Sequence, residues 1–458
     1  MNYYLSPRFV VTAICASSFV SITPLWAETK SPQKSAAIEK SKAAPSLKIL
    51  DKFPAPDTNT ITGKALRIAI LKTQAAPENA ENWTAVGDLL AQLQRDTGET
   101  KYFDFAESAY QESLKIRPDF VAAMTGIAWA NGGRHDFKAS IEWAKKAITQ
   151  DADCVAAYGI IGDAEVELGE YDSALDHYQK MMDLRPDLSS WSRGAHLLWI
   201  MGDKSKALWL MNKAINAGAP FAENTAWCRA RLATMLFHDG AILPAQNSIQ
   251  KLIDQKTKNV HVLTIAAKIA TAQKDYALAM AHYETILSTG SNQAAIAAIG
   301  DLYALQGKKE EAEKFYAKLE HLHEHHHHGE GEHDHHFLAK FYANHDRNLT
   351  DALAMIKGHD DTKNVQEADM LAWIYYKNGK LPQAISMMKK ALRYNTPDAE
   401  VHYHAGMIAA AHGDFTSAHK HLHQALQMNP HFNPLQLPAL QKALDEMEQK
   451  KTISQTEK

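Results

Sequence analysis

Cysteine is almost missing from this chain, with only Cys15, Cys154 and Cys228 among 458 residues. That scarcity excludes a disulfide framework and any paired-cysteine metal or redox motif. Glycine and proline are also sparse, at 22 and 16, and alternating Val/Ile/Thr runs are missing. Little is left to build a sheet, so the chain is expected to be helical. The formal charge of -4 at pH 7 gives no whole-molecule basic field, which argues against nucleic acid or an acidic membrane as partner. The sequence has neither a phosphate-binding glycine loop nor a nucleophile elbow, so the common catalytic signatures are missing too.

Long apolar runs are lacking as well. The run from Phe9 to Ile22, preceded by Arg8, covers fourteen residues, short of the roughly 20 that span a bilayer. With Pro24 and Ala27 behind it, residues 1–27 read as an export signal, and the mature chain is expected in the periplasm or secreted, with no membrane insertion after cleavage; an uncleaved anchor is the alternative. Leu25 is bulkier than the preferred residue before such a cut, which leaves the exact position open. Residues 28–60, rich in Lys, Ser, Ala and Pro, are expected to form a disordered tether. Cys154 and Cys228 are expected as separate thiols, each buried or half-buried.

What the chain does have is a spacing. Gly162, Gly169, Ala174, Tyr178 and Pro186 recur at identical intervals as Gly406, Gly413, Ala418, Leu422 and Pro430, 244 residues later. That offset holds seven periods of about 34 residues with small slips. Within one period a small residue lets two helices approach, a glycine ends the first helix in a left-handed cap, and an alanine keeps the second helix close. Further copies carry Gly202 with Ala207, Gly240 with Ala245, Lys274 with Ala279, Gly307 with Ala312 and Gly379 with Ala384. A degenerate copy surrounds Arg347 and Ala352, and two irregular ones start near Trp83 and Gly126. Beyond the last copy, Leu437, Leu440, Leu444 and Met447 recur at helical spacing and mark a helix that caps the open end of the stack.

This pattern resembles the tetratricopeptide repeat. The resemblance implies an all-α fold, a right-handed superhelical solenoid of about ten helix-turn-helix units over residues 61–436, with a capping helix and polar tail at 437–458. Stretches such as GRHDFKASIEWAKKA (Gly133 to Ala147), ELGEYDSAL (Glu167 to Leu175) and LRPDLSSWSRGA (Leu184 to Ala195) are similar to a family of exported bacterial tetratricopeptide proteins. That likeness implies an extracytoplasmic scaffold and supplies no catalytic residues. In this repeat the first helices line the concave groove. The register puts His196, Trp199, Trp227, Phe237, Trp373, Tyr376, Tyr403 and Met407 at groove positions, where aromatics suit a peptide or a partner helix. Packing between neighbouring units would use the same residues equally well. Asp88, Asp163 and Asp301 recur at one groove position and would form an acidic stripe or solvated turns.

Histidine is the outlier, with 24 residues. The junction at 320–336 contains HLHEHHHHGEGEHDHH, in which His321, His323, His325, His326, His327, His328, His333, His335 and His336 stand among four carboxylates. His321 and His325, like His323 and His327, lie one helical turn apart and would chelate one ion. Imidazoles beside carboxylates suit zinc, nickel, copper or cobalt. A solvated polar junction is the alternative. His323, Glu324 and His327 spell H-E-x-x-H, a match that so histidine-rich a run produces almost automatically. A second group, His402, His404, His412, His419, His421 and His423, falls in the last repeat, with His419 and His423 on one helix face. The reading is therefore a non-enzymatic, exported interaction scaffold for a protein or peptide partner, with no required cofactor. The alternative is an extracytoplasmic metal-binding or metal-delivery protein acting through the histidine-rich junction.

Overall fold

The computed structural model describes residues 47–220, 222–290, 292–325 and 332–456. The expected export signal, the first part of the tether and His326, His327 and His328 lie outside the described residues, as do the side chains of His325 and His333. Among the described residues there are 22 α-helices and one short 3-10 helix, and no strand. In chain order the α-helices are α1 (Ile61–Ala75), α2 (Ala80–Thr97), α3 (Lys101–Ile116), α4 (Val121–Gly133), α5 (Phe137–Gln150), α6 (Val155–Glu167) and α7 (Tyr171–Leu184). They continue with α8 (Leu188–Ile200), α9 (Lys204–Ala217), α10 (Glu223–His238), α11 (Ile242–Asp254), α12 (Val260–Ala272), α13 (Tyr276–Leu287), α14 (Gln293–Leu305) and α15 (Lys309–His325). The last seven are α16 (Glu332–Asn344), α17 (Leu349–Met355), α18 (Val365–Lys377), α19 (Leu381–Ala391), α20 (Ala399–His412), α21 (Phe415–Met428) and α22 (Leu437–Thr456). Each even-numbered helix from α2 to α20 starts a repeat and the odd-numbered helix after it completes the pair.

The repeat residues act as their chemistry demands. Asp136, Asp203, Asp275 and Asp414 each cap a second helix by accepting from a backbone N–H three residues on, which satisfies one of the orphan donors of the first turn. Asp187 and Ser190 cap α8 reciprocally. The alanines that hold the second helix close, among them Ala174, Ala207, Ala245, Ala279, Ala384 and Ala418, are all fully buried. At Gly406 a Cβ would come within 2.5 Å of the Leu422 side chain, so the small residue is what allows the two helices of that repeat to touch. The capping helix is present: Leu440 and Leu444 of α22 are buried in the core of the last repeats, with Met447 packed against them.

Two compact units divide the described residues. The smaller spans residues up to Ala164 with Asp183–Arg185, and the larger spans Glu165–Met182 and everything from Pro186 onward. In the smaller unit the tether ends earlier than the sequence implies. Leu47–Lys52 form the 3-10 helix, and Leu50 and Phe53 are buried in the cluster that holds Leu66, Trp83 and Tyr102. Their apolar side chains offset the cost of ordering that short segment.

The larger unit has a feature that a repeat pattern does not announce. Loops that end the first helices of three consecutive repeats dock against the linkers of three later repeats. At the first contact the Val365 N–H donates to the Tyr171 hydroxyl at 2.9 Å, and Arg393 donates to the Gly169 carbonyl at 3.0 Å while lying over the Tyr171 ring. Next, the Thr396 hydroxyl donates to the Ile200 carbonyl at 2.6 Å. Last, the Asn429 amide donates to the Phe237 carbonyl at 2.8 Å, and His238 lies 3.5 Å from Asp398. Gly169, Gly202 and Gly240, with φ of 71°, 80° and 74°, are the points of closest approach. A Cβ would come within 2.3 Å of the Lys363 carbonyl carbon at Gly169, within 2.5 Å of the Asn395 oxygen at Gly202, and within 2.5 Å of the Met428 oxygen at Gly240.

Candidate functional site

Two places in the larger unit gather chemistry. The first is the inner face of α8, α10 and α12. Arg231 on α10 donates to a ring nitrogen of His196 on α8 at 2.8 Å and lies 5.8 Å from the Trp227 ring. His261 and Lys268 on α12 are exposed to solvent. Protein nevertheless crowds this face. Burial pushes Arg231 down to about 10, and burial followed by the Arg231 charge lowers His261. Lys268 is lowered as well, by burial first, with Lys340 and Arg231 acting in the same direction and Glu400 and Asp398 against it. Lys340 belongs to α16 and Glu400 to α20, so inner faces of distant repeats look toward one another. Lys340 is paired to Glu400 at 2.9 Å, and Asp398 to His238. No carboxylate lies within ion-pair reach of Arg231 or Lys268 among the described residues. A cleft beside Lys268 is lined by Phe237, Thr271, Asp301 and Glu400 and by the segment His431–Leu435.

The residues expected to line the groove divide by depth. Trp199, Phe237, Trp373, Tyr403 and His196 are buried, whereas Trp227, Tyr376 and Met407 are half-buried. The Trp373 ring stacks on Tyr376 at 5.1 Å and on His404 at 4.2 Å, and approaches Tyr403 at 5.4 Å, so these aromatics spend their surface on packing between repeats. The acidic stripe also has an internal use. In the smaller unit Asp88 accepts from the Tyr110 hydroxyl at 2.9 Å. In the larger unit Asp301 accepts from Tyr316 and from His345, both at 2.8 Å. The sequence carried a signal for these contacts, because aspartates at that position pair with the tyrosine of the second helix in the same repeat. The Arg231 and Lys268 face had no such signal, since neither stands out from ordinary solvated cations until the fold brings them together.

The histidine-rich junction is the second place. His321 is exposed, and His323 is buried with its ring 4.9 Å from that of His335. His336, at the start of α16, meets two residues that the sequence did not single out. These are His359, in the loop between α17 and α18, and Glu367, in the first turn of α18. Their potential ligand atoms all lie within 4.8 Å of one another, and all three residues are half-buried. The expected pair His419 and His423 is brought to 3.0 Å, with Glu448 of the capping helix beside it, at a mostly exposed position. His402 contacts His421 at 3.1 Å, and His404 is bonded to the buried Asp369 at 2.9 Å. Cys154 and Cys228 are free thiols. Burial raises Cys154 and pushes Cys228 up to about 12, which makes them poor nucleophiles at neutral pH.

Comparison with known proteins agrees with this architecture. The tetratricopeptide repeat family profile matches residues 125–189 and 370–432, and the chain contains tetratricopeptide repeats. Similar solved structures include a tetratricopeptide repeat protein from Parabacteroides merdae, 19% identical over 52% of this chain and 88% of that one, with a TM-score of 0.39. Another is pilF of Pseudomonas aeruginosa, 16% identical over 52% of this chain and 97% of that one, TM-score 0.37. A third is YrrB, described as a TPR protein with an unusual peptide-binding site, 14% identical over 42% of this chain and 98% of that one, TM-score 0.30. No curated protein matches the chain. Among the described residues no helix is long and apolar enough to cross a membrane.

Proposed function

We propose that this protein is a non-enzymatic, exported scaffold that holds a protein or peptide partner on the inner face of its larger unit. The repeat supports a scaffold, because it arranges side chains from successive helices on one rigid surface. The N-terminal apolar segment supports export. The observation that carries the binding reading is the inner face on which Arg231 lies beside Trp227 and the exposed Lys268 opens onto a cleft: Glu400 and Asp398 act on Lys268, but among the described residues no carboxylate is in ion-pair contact with either cation. An acidic stretch of polypeptide supplies the missing charge, and Trp227 supplies an apolar contact. The partner class is therefore an acidic peptide segment, bound without any required cofactor.

The test is capture from the native envelope with wild type, Lys268→Glu, Arg231→Glu and Trp209→Ala in parallel. Trp209 is 49% exposed on a second helix and serves as a control. A partner held by wild type and by Trp209→Ala, but lost at least tenfold by both charge reversals, is the expected result. A partner profile indifferent to the charge reversals contradicts this reading. Transition-metal binding at the histidine-rich junction is the second reading, and the convergence of His336 with His359 and Glu367 favours it.

A further inference from the structure

His336, His359 and Glu367 come from three separate elements, and each is positioned by contacts of its own. The His359 Nδ1 is 2.8 Å from Glu367 Oε1. The other carboxylate oxygen accepts from the Thr362 hydroxyl, which leaves Oε1 aimed at the imidazole. The His336 ring meets the His359 ring edge-on with centroids 4.6 Å apart. The turn that carries His359 is pinned from outside. Its Thr362 N–H donates to the His359 carbonyl at 3.1 Å, and Tyr375 donates to Asp360 at 2.6 Å. Lys390 reaches the Asp360 and Thr362 carbonyls at 2.6 and 3.2 Å. Glu367 is fixed in the first turn of α18, where its N–H and that of Gln366 both donate to the Asn364 side chain.

We propose that His336, His359 and Glu367 form a binding site for one divalent transition-metal ion of the zinc type. Two imidazoles and one carboxylate are the donor set for a tetrahedral ion that keeps a fourth position open, and they disfavour magnesium and calcium, which take all-oxygen shells. A tetrahedral ion with bonds of about 2.0–2.2 Å needs its ligand atoms about 3.3–3.6 Å apart. The three groups lie within 4.8 Å, so side-chain rotation closes the difference without moving a helix. Thr362 is the outer-shell partner that orients the carboxylate. The fourth position takes water or a side chain of a bound partner. This site differs from chelation by the run of histidines before it, because only His336 belongs to that run, whereas His359 comes from the loop after α17 and Glu367 from α18. It stands independently of the scaffold reading.

The probe is zinc itself, with magnesium as control, titrated into purified chain in which the other eight histidines of the run at 321–335, together with His419 and His423 of the second cluster, are replaced by Asn. One zinc ion per chain is expected in that background, with affinity about 100-fold weaker for His359→Gln and about tenfold weaker for Thr362→Val. Glu367→Gln retains a partner for Thr362 but drops the anionic ligand, so it separates loss of metal from loss of the loop. It should weaken zinc as much as His359→Gln does. Cobalt bound to the same background should show the intense visible bands of a tetrahedral ion. The proposal is overturned if the background binds no zinc, if either His359→Gln or Glu367→Gln leaves the affinity unchanged, or if cobalt gives only the weak spectrum of an octahedral ion.

Discussion

The turn glycines of the larger unit fall into two sets. Gly307, Gly379 and Gly413 have φ of 75°, 69° and 85°, and nothing lies within 4 Å of where a Cβ would sit. Gly169, Gly202 and Gly240 have nearly the same φ but press against backbone of a later repeat at 2.3 to 2.5 Å. In sequence the two sets are identical, each a glycine at the end of a first helix. The first set answers only to its own backbone, since a left-handed residue costs about 1–2 kcal/mol with a side chain attached. The second set answers also to a neighbour nearly two hundred residues away.

Substitution separates them most sharply. Gly169→Ala and Gly202→Ala combine the backbone cost with overpacking against an unyielding carbonyl, and should lose about 3–4 kcal/mol. Gly413→Ala should lose about 1–2 kcal/mol. Chemical denaturation of the three variants measures the difference, and equal losses would mean that the docked contacts add nothing.

Acid is the next lever, and it acts on two places. Burial, then the adjacent His421, pushes His402 down to about 4, whereas an exposed imidazole titrates near 6.5. Protonation therefore favours the unfolded chain, so this contribution is complete above about pH 6.5 and disappears as pH falls toward 4, roughly 3 kcal/mol in all. Asp398, at the docked contact, behaves oppositely in range. Burial resists its ionisation, but the His238 charge and hydrogen bond, the Lys340 charge and the Glu400 N–H outweigh that and hold it below the usual carboxylate range. Its contribution is complete above about pH 4 and is lost below it. Unfolding free energy measured against pH should show both limbs, with His402→Gln removing the upper one and Asp398→Asn the lower.

Smaller effects follow at the same seam. Thr396→Val strips the donor from the buried Ile200 carbonyl and should lose about 1–2 kcal/mol. Lys363→Ala removes an ion pair to Glu170 in which both side chains are half exposed, and should lose under about 1 kcal/mol. Thermal unfolding ranks the two, and the reverse order would place the strength of the seam in its charges.

The repeat, the turn glycines, the buried alanines and the capping helix from Leu437 were legible because a repeat pattern records contacts inside a unit and between adjacent units. The seam was not, because Gly169 would be glycine whether or not Asn364 lay beside it. The register put Trp199, Trp373 and Tyr403 at groove positions, but depth depends on the neighbouring repeat, and there they are buried. At the histidine junction, composition flagged His336. His359 and Glu367 stood apart from the run, and only the fold of the next repeat brings them to it.

An open stack of helix pairs is a chain of neighbours in one dimension, and it can melt from its ends a unit at a time. Once Gly169, Gly202 and Gly240 touch a second row, each repeat there has neighbours both along the chain and across it. The separations from Gly169 to Asn364 and from Gly202 to Asn395 are 195 and 193 residues, so inserting or deleting one repeat between them would put the wrong linker opposite every glycine. The number of units in this stretch is thereby locked, and the two rows are bound to unfold together.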